Sequence, residues 1–571
     1  MANKNLFSKS SPASVTARTP VADTVNAAGG KAYTYSNRHK LAQIAATNCF
    51  NSTYYVSAED NLKIAKEAAL ALVGKDNEFL AKVAVYSRRR SYMKDMPAFL
   101  TCVLADTDPV LFRKVFRKVI DNGKMLRNIV QMARSGVLGK VRNVGSGTYR
   151  HAIQEWFATR NGWALFKAGI GNDPTMRDIL RMSHVRPTGP EQAALFAYFL
   201  GAENKEGVLR VQGPKTRDGD VVYREHSFMS LPQVVQQYEN YKRDKSGVVP
   251  NVDFRYLDSL GLDKEGWIQV ARNGNWMFTR MNLNTFARHG VFESAEMVDL
   301  IAKRLRDKEQ IAKAKAFPYQ LLMAWKAAGE NVPAKIGDAL HDAMEYSIYN
   351  VPEVPGKIYI CVDTSGSMGS PVTGNRFGGH SSAARCVDVA ALFACALFRK
   401  NRDATIIPFD TQVYSCNLNP RDTVMTNAQV LARYGGGGTS CSLPLAQLNQ
   451  QGKKGDAVIY VSDNESWVDR GYGSATGVMS EWIKFRDRNK KAKLVCIDLT
   501  PSPNSQVKEN KCILQVGGFS DACFDVVSAF IKANEDDPDY WVREIEKVSL
   551  EDDRLVVPET DNVEEVADGA E

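Results

Sequence analysis

Three oxygen-bearing side chains arrive together at Asp363, Ser365 and Ser367, in the stretch KIYICVDTSGSMG from Lys357 to Gly369. A carboxylate and two hydroxyls on one tight loop suit a hard divalent cation, Mg2+ before Zn2+. Ahead of the loop, Ile358, Tyr359, Ile360, Cys361 and Val362 run apolar, as in a strand buried on both faces. Such a strand belongs to a parallel sheet, and ligands bind beyond the carboxyl ends of its strands. Asp and Ser also favour plain turns, so the loop alone is a weak signal.

The elements around the loop follow one regime. From Lys357 onward apolar strands alternate with helices: KIYICVD, SSAARCVDVAALFACALFRK, ATIIPFD, AVIYVSD, SEWIKFRDRNK, KLVCIDL, ILQVGGF and DACFDVVSAFIKA. Alternation of this kind builds a parallel sheet covered by helices. The Gly-rich segment 370–380 is expected to form a loop beside the cation site. Ahead of the proline-punctuated linker VPEVPG (351–356) the pattern is helix after helix, with one possible strand interlude in GVLRVQGPKTRDGDVVYREH. The clearest helix is DPVLFRKVFRKVIDNG. Phe112, Val115, Phe116 and Val119 form its apolar face, Asp108 and Pro109 open it, and Gly123 is expected to close it. Many short helices without a second class of element predict an α-solenoid.

A chain of 571 residues is too long for one core. Its net charge of +8 hides an asymmetry: residues 1–350 hold 50 Lys and Arg against 34 Asp and Glu, residues 351–571 hold 23 against 31. Residues 81–150 alone carry 15 basic against 4 acidic side chains, with Arg88, Arg89 and Arg90 in an unbroken run. Such a surface neutralises phosphates and releases their counterions. Ten cysteines with no CxxC spacing give neither a disulfide framework nor a zinc site. No apolar run reaches the roughly 20 residues of a membrane span, and no signal-peptide h-region opens the chain. The expectation is a soluble cytoplasmic protein with a disordered tail over 1–27, a helical module over 28–350, an α/β domain over 356–540 and an acidic tail over 541–571.

The D-x-S-x-S loop resembles the metal-ion-dependent adhesion site of von Willebrand factor A domains. The resemblance implies two further ligands from later loops, and they fall on Thr439, in GGGGTS, and Asp463, in VIYVSDNES. The helical half is similar to the TROVE module of Ro-type (Ro/SS-A autoantigen) RNA-binding proteins. The phrases are STYYVSAEDNLKIAKEA, AVYSRRRSYMKDMPAFLTCVLAD, GTYRHAIQEWFATRNG, MRDILRMSHVRP and RNGNWMFTRMNLNTFARHGVF. The resemblance implies a ring of HEAT-like helices joined to a Rossmann-like A domain, acting as a monomer. It further implies binding of small noncoding Y RNA on the ring's outer surface and of single-stranded ends of misfolded noncoding RNAs at its cavity. An exoribonuclease such as polynucleotide phosphorylase, tethered through RNA, is an implied partner. His184 falls where the family contacts Y RNA, Lys167 falls on the upstream basic position, and a further family arginine aligns with Gly171. Arg150 and Arg186, in the same phrases, join Arg88, Arg89 and Arg90 as RNA-binding candidates.

Two other classes compete. An A-domain adaptor working with a separate ATPase is one; no Gly-Lys pair is followed by Ser or Thr, so no P-loop lies in this chain. A phosphoryl-transfer enzyme using Asp363 as nucleophile is the other. Haloacid-dehalogenase-like sites want a second carboxylate two residues on, and position 365 is serine. A binding role is therefore expected over catalysis.

Overall fold

The computed structural model describes residues 15–215, 221–245, 247–314, 316, 318–372, 384–469, 473–518, 520–533 and 539–551. These fall into two compact units. One gathers the described residues among Met1–Ala68, Phe317–Tyr319 and Ile348–Glu544, the other those among Ala69–Ala316, Gln320–Ser347 and Ile545–Glu571.

The first unit is built on five parallel strands: β1 (Ile358–Asp363), β2 (Thr405–Phe409), β3 (Ala457–Ser462), β4 (Lys493–Asp498) and β5 (Ile513–Gly517). Their spatial order is β5-β4-β3-β1-β2, and every pairing is parallel. All but the first residue of β2 are buried, because helices cover the sheet on both faces. This is why each strand reads as an unbroken apolar run. Between β1 and β3 the order of connection reverses, and there the carboxyl ends of neighbouring strands leave a crevice. The core gathers Tyr359, Cys361, Phe409, Tyr460, Trp482, Phe485 and Cys496 around this sheet.

Residues 15–27, expected as part of a tail over 1–27, join this unit: Asn26 Nδ2 donates to Ser466 O at 2.8 Å. Residues 1–14 lie outside the described chain. From Val15 onward a short helix, Val15–Arg18, is followed by strands Thr24–Val25 and Lys31–Thr34 and a helix, Asn37–Thr47. Lys31–Thr34 pairs antiparallel with Asn504–Ser505, and Tyr33 is a member of the core. Tyr35 donates its hydroxyl to Asp498 Oδ2 at 2.8 Å and stacks on His39. Gln43 donates to Thr500 O and accepts from Ser502 N. These partners lie more than 450 residues away in sequence, so nothing local showed that residues 28–68, expected in the helical module, belong with this sheet as a strap. The start of the acidic tail expected over 541–571 is helical instead. Tyr540–Glu546 is a helix with Trp541, Val542 and Ile545 buried, and residues 552–571 lie outside the described chain.

The second unit is helical, apart from an antiparallel sheet of Glu203–Lys205, Val208–Lys215 and Val221–Ser227 at the anticipated interlude. Helix Pro109–Val119 buries the four predicted apolar residues, and Asp108 Oδ1 accepts from Val110 N and Leu111 N as its cap. Gly123 does not end that helix. It opens the next one, Gly123–Ser135, because Asn122 caps the free N–H groups of Lys124 and Met125.

The strap is testable through Tyr35, which is 4% exposed. Tyr35→Ala should destabilise this unit by about 3–5 kcal/mol, the cost of emptying an aromatic site, read as a shifted denaturant midpoint. A dispensable tail would leave the midpoint unmoved.

Candidate functional site

β1 delivers Asp363 to the crevice, where backbone and side chains fix its carboxylate. Ser365 N donates to Oδ1 at 2.9 Å and Ser462 Oγ, at the end of β3, donates to Oδ2 at 2.6 Å. The turn then brings Ser365 Oγ and Ser367 Oγ within 3.2 Å of each other. Asp463 follows β3, its Oδ1 accepting from Glu465 N at 3.3 Å and its carboxylate also held by the Ser367 hydroxyl. Thr439 comes from the glycine run 435–438, which lies against the first loop: Gly436 N donates to Thr364 O and Gly366 N to Gly437 O, each at 2.8 Å. Gly435, at φ +80°, is required here, since a Cβ would meet Thr364 O at 2.1 Å. Asp410, just past β2, anchors the same run by accepting from Gly437 N at 3.0 Å and Tyr414 Oη at 2.8 Å. Asp363, Ser365, Ser367 and Asp463 are thus brought together, and the glycine run that leads to Thr439 packs on the same loop.

The site's electrostatics call for a positive charge. Asp363 and Asp463 are fully buried, and burial drives both carboxyls above their usual range; for Asp363 the neighbouring Asp463 adds to the rise. Burial likewise pushes Glu465 and Asp498 up to about 8. Thr439 Oγ1 is buried with no hydrogen-bond partner, a costly state for a hydroxyl unless something else meets it. Among the described residues no group of three His, Cys, Asp or Glu side chains converges. The donors are two carboxylates and three hydroxyls, a set that fits a hard cation with room for water.

Sequence reasoning missed Ser462, although it directly precedes Asp463 at a strand end. It also missed Tyr55, near Ser367 and Asp463, whose phenol burial pushes up to about 12. No sequence signal links Tyr55 to a loop so distant along the chain. Residues 373–380 of the expected Gly-rich loop 370–380 lie outside the described residues.

The RNA-binding candidates separate into groups. His184 caps helix Met176–Ser183 in the left-handed conformation (φ 51°), with its ring exposed. Helix Gly147–Ala158 lies alongside: Gln154 donates to Arg186 O and accepts from Arg186 N, both at 2.8 Å. Arg150 is one turn before Gln154 on that helix, on the same face. A Cβ on Gly145 would fall 2.3 Å from Met182 O, so the preceding loop also packs onto this turn. Arg150, His184 and exposed Arg186 are thus neighbours. Lys167 is exposed on helix Gly162–Ala168, its Nζ 5.0 Å from the Trp163 ring centre, near the Asp253–Arg255 ion pair. At Gly171 the guanidinium of Arg127 takes up the side-chain space, 2.8 Å from where a Cβ would be, and donates to Ala168 O.

The expected phosphate-binding run 88–90 is corrected by the structure. Arg88 is paired with Asp121 at 2.7 Å, and Arg89 Nε donates to Lys118 O at 2.9 Å, with burial lowering the pKa of the Arg89 guanidinium. Only Arg90 is exposed. The helix end places the first two guanidiniums inward, where they satisfy carbonyls and a carboxylate of the following helices.

The parallel sheet and its crevice of carboxylates and hydroxyls define a von Willebrand factor A domain, and residues 357–531 match the family model described as the Ro60 vWA domain. The RNA-binding protein RO60 of Deinococcus radiodurans is 24% identical over 533 residues, spanning 89% of this chain and 95% of the relative. RNA-binding protein RO60 of Caenorhabditis elegans is 23% identical over 181 residues, 30% of this chain and 27% of that one. The crystal structure of the Deinococcus radiodurans RO (RSR) protein aligns with a TM-score of 0.58 at 17% identity, over 87% of this chain and 99% of that chain, which shows the shared fold. Together these matches support a Ro/TROVE protein with a von Willebrand factor A domain at its carboxyl end.

The buried carboxyls give a pH dependence whose sign is fixed. Asp498 has a folded value of about 8 against 3.8 ordinarily. Its contribution to stability is complete below the ordinary value and is lost as pH rises through about 8. Metal-free protein should therefore lose stability across that window. Asp498→Asn should flatten the slope by at most about 1.4 kcal/mol per pH unit, measured by urea unfolding in chelator.

Proposed function

We propose that this protein is a cytoplasmic RNA-binding scaffold of noncoding-RNA quality control. Its helical unit takes small structured Y-type RNA and the single-stranded ends of misfolded RNAs. Its A domain holds Mg2+ and uses it to bind a partner's carboxylate. The observation that carries the RNA reading is the cluster of Arg150, His184 and Arg186, fixed by the Gln154 bridge, in a chain similar over most of its length to a protein named as RNA-binding. A guanidinium pairs with phosphate in a fork and stacks on bases, and an exposed imidazole adds a second stacking plane. Among the described residues no helix is long and apolar enough to cross a membrane, in keeping with a role on RNA.

In the A domain, Ser365 and Ser367 would meet the cation through their hydroxyls. Asp363, Thr439 and Asp463 would meet it directly or through water. Mg2+ held there would supply an exchangeable position for an oxygen ligand. The protein's own groups orient those donors, and Ser462 and the Ser365 amide keep Asp363 aimed. With serine at 365 instead of a second carboxylate, the arrangement is one for holding an ion and a ligand.

Two outcomes test this reading. Mg2+ at about 100 times its dissociation constant should stabilise the wild type by about 2.7 kcal/mol. Asp363→Asn should abolish that gain while the metal-free protein stays folded; an equal gain in the variant would remove the site. For RNA, Arg186→Ser should weaken a structured RNA and reduce the slope of log affinity against log salt by about 1. Arg88→Ala should instead lower fold stability, since it strands Asp121, and leave the salt slope in place. A filter-binding series over salt decides between them, and a slope lost only with Arg88 would contradict the assignment.

A further inference from the structure

The loop that carries Thr439 and the loop that carries Asp463 are tied to each other through their backbones. Trp467 N and Val468 N, shortly beyond Asp463, both donate to Thr439 O at 3.1 Å. In the other direction Cys441 N donates to Ser466 Oγ at 3.1 Å. The packing leaves no room for a side chain between them. A Cβ on Gly438, the residue before Thr439, would fall 2.7 Å from the Trp467 ring and 2.9 Å from Val468 Cγ2.

One carboxylate closes this junction. Asp469 Oδ1 accepts from Ser440 Oγ at 2.6 Å and from Ser442 Oγ at 2.8 Å, while Oδ2 accepts from Ser466 Oγ at 3.0 Å. Ser442 N adds a longer bond to Oδ1 at 3.4 Å. Ser440 directly follows Thr439, Ser466 lies just past Asp463, and all three serines are buried. Hydrogen bonds to an ionised acceptor are roughly twice as strong as neutral ones. The polar groups around Thr439 thus find partners on the other loop, whereas Thr439 Oγ1 is buried and has none.

We propose that Asp469 is a positioning residue of the cation site, locking the Thr439 loop in register with the Asp463 loop so that hydroxyl and carboxylate are presented together. The proposal rests on the metal-binding reading above. Thr439 follows four consecutive glycines, 435–438, a stretch with more backbone freedom to lose than any other sequence of its length. A clamp directly after the run removes that freedom where a ligand must be held still. Asp469 itself is committed to the three serines, so it acts through the ligands' loops and not on the ion. Groups that orient metal ligands in this way typically account for about 10- to 100-fold in metal affinity.

The test uses the full chain with Mn2+ as probe, its affinity read by water-proton relaxation and the metal-free fold by urea unfolding in chelator. Asp469→Ala should bind Mn2+ about 10- to 100-fold more weakly than wild type. Asp469→Asn keeps an oxygen for Ser440 and Ser442, and its amide N–H can donate to Ser466 Oγ. It should stay within about threefold of wild type. Should Asp469→Ala not fold, Ser440→Ala removes one of the three hydroxyl bonds and should weaken Mn2+ by about fivefold. A clamp that serves only the fold would lower the urea midpoint of Asp469→Ala, or of Ser440→Ala in its place, and leave Mn2+ affinity unchanged, which overturns the proposal. Equal losses in Asp469→Asn and Asp469→Ala also overturn it, since the charge and not the clamp would then be responsible. A wild type that takes up no more Mn2+ than Asp363→Ala overturns the metal reading and this proposal with it.

Discussion

Two buried carboxylates at the end of one sheet are the constraint around which the A-domain unit is arranged. Asp363 and Asp463 come from β1 and from the loop after β3, the two strands that meet where the order of connection reverses. Bringing such charges out of water costs several kcal/mol each unless they are compensated. Most of the polar detail nearby is compensation. Hydroxyls of Ser462 and Ser367 and the amides of Ser365 and Glu465 face the two acids. Asp410 and the glycine run bring Thr439 to the same point with its hydroxyl still without a protein partner. The donors left over, two carboxylates and three hydroxyls, are of the kind that suits a hard divalent cation.

The strap extends the same logic. Residues 15–56 cover the end of the sheet that carries the site, and their polar contacts converge on the loops after β3 and β4. The division of the chain into units therefore does not follow the division of its sequence into a helical and an alternating half. The helical unit carries the neighbouring Arg150, His184 and Arg186, and the other unit carries the crevice of Asp363 and Asp463.

Much of the site was legible in the sequence because strand ends are legible. An apolar run that stops on aspartate marks both the strand and the crevice it faces, which is why Asp363 and Asp463 could be put at strand ends. The face of helix Pro109–Val119 was equally plain, since burial follows the 3.6-residue period. What could not be read was anything set by long-range contact. Tyr55 and Tyr35 are ordinary aromatics in polar surroundings until the fold brings Ser367 and Asp498 to them. Arg88 and Arg89 show the converse. Their count signals a phosphate surface, but the direction of each side chain depends on Asp121 and the Lys118 carbonyl, 33 and 29 residues further on.

The central claim, that the helical unit carries the RNA while the A domain carries the cation, is tested most directly by mapping contacts in native cells. RNA should be crosslinked to the full protein and the attached peptides identified by mass spectrometry. Crosslinks concentrated between Gly145 and Arg186, on structured noncoding RNA, are the predicted result. Crosslinks confined to the loops around Asp363, Thr439 and Asp463, or none on the helical unit, would contradict it.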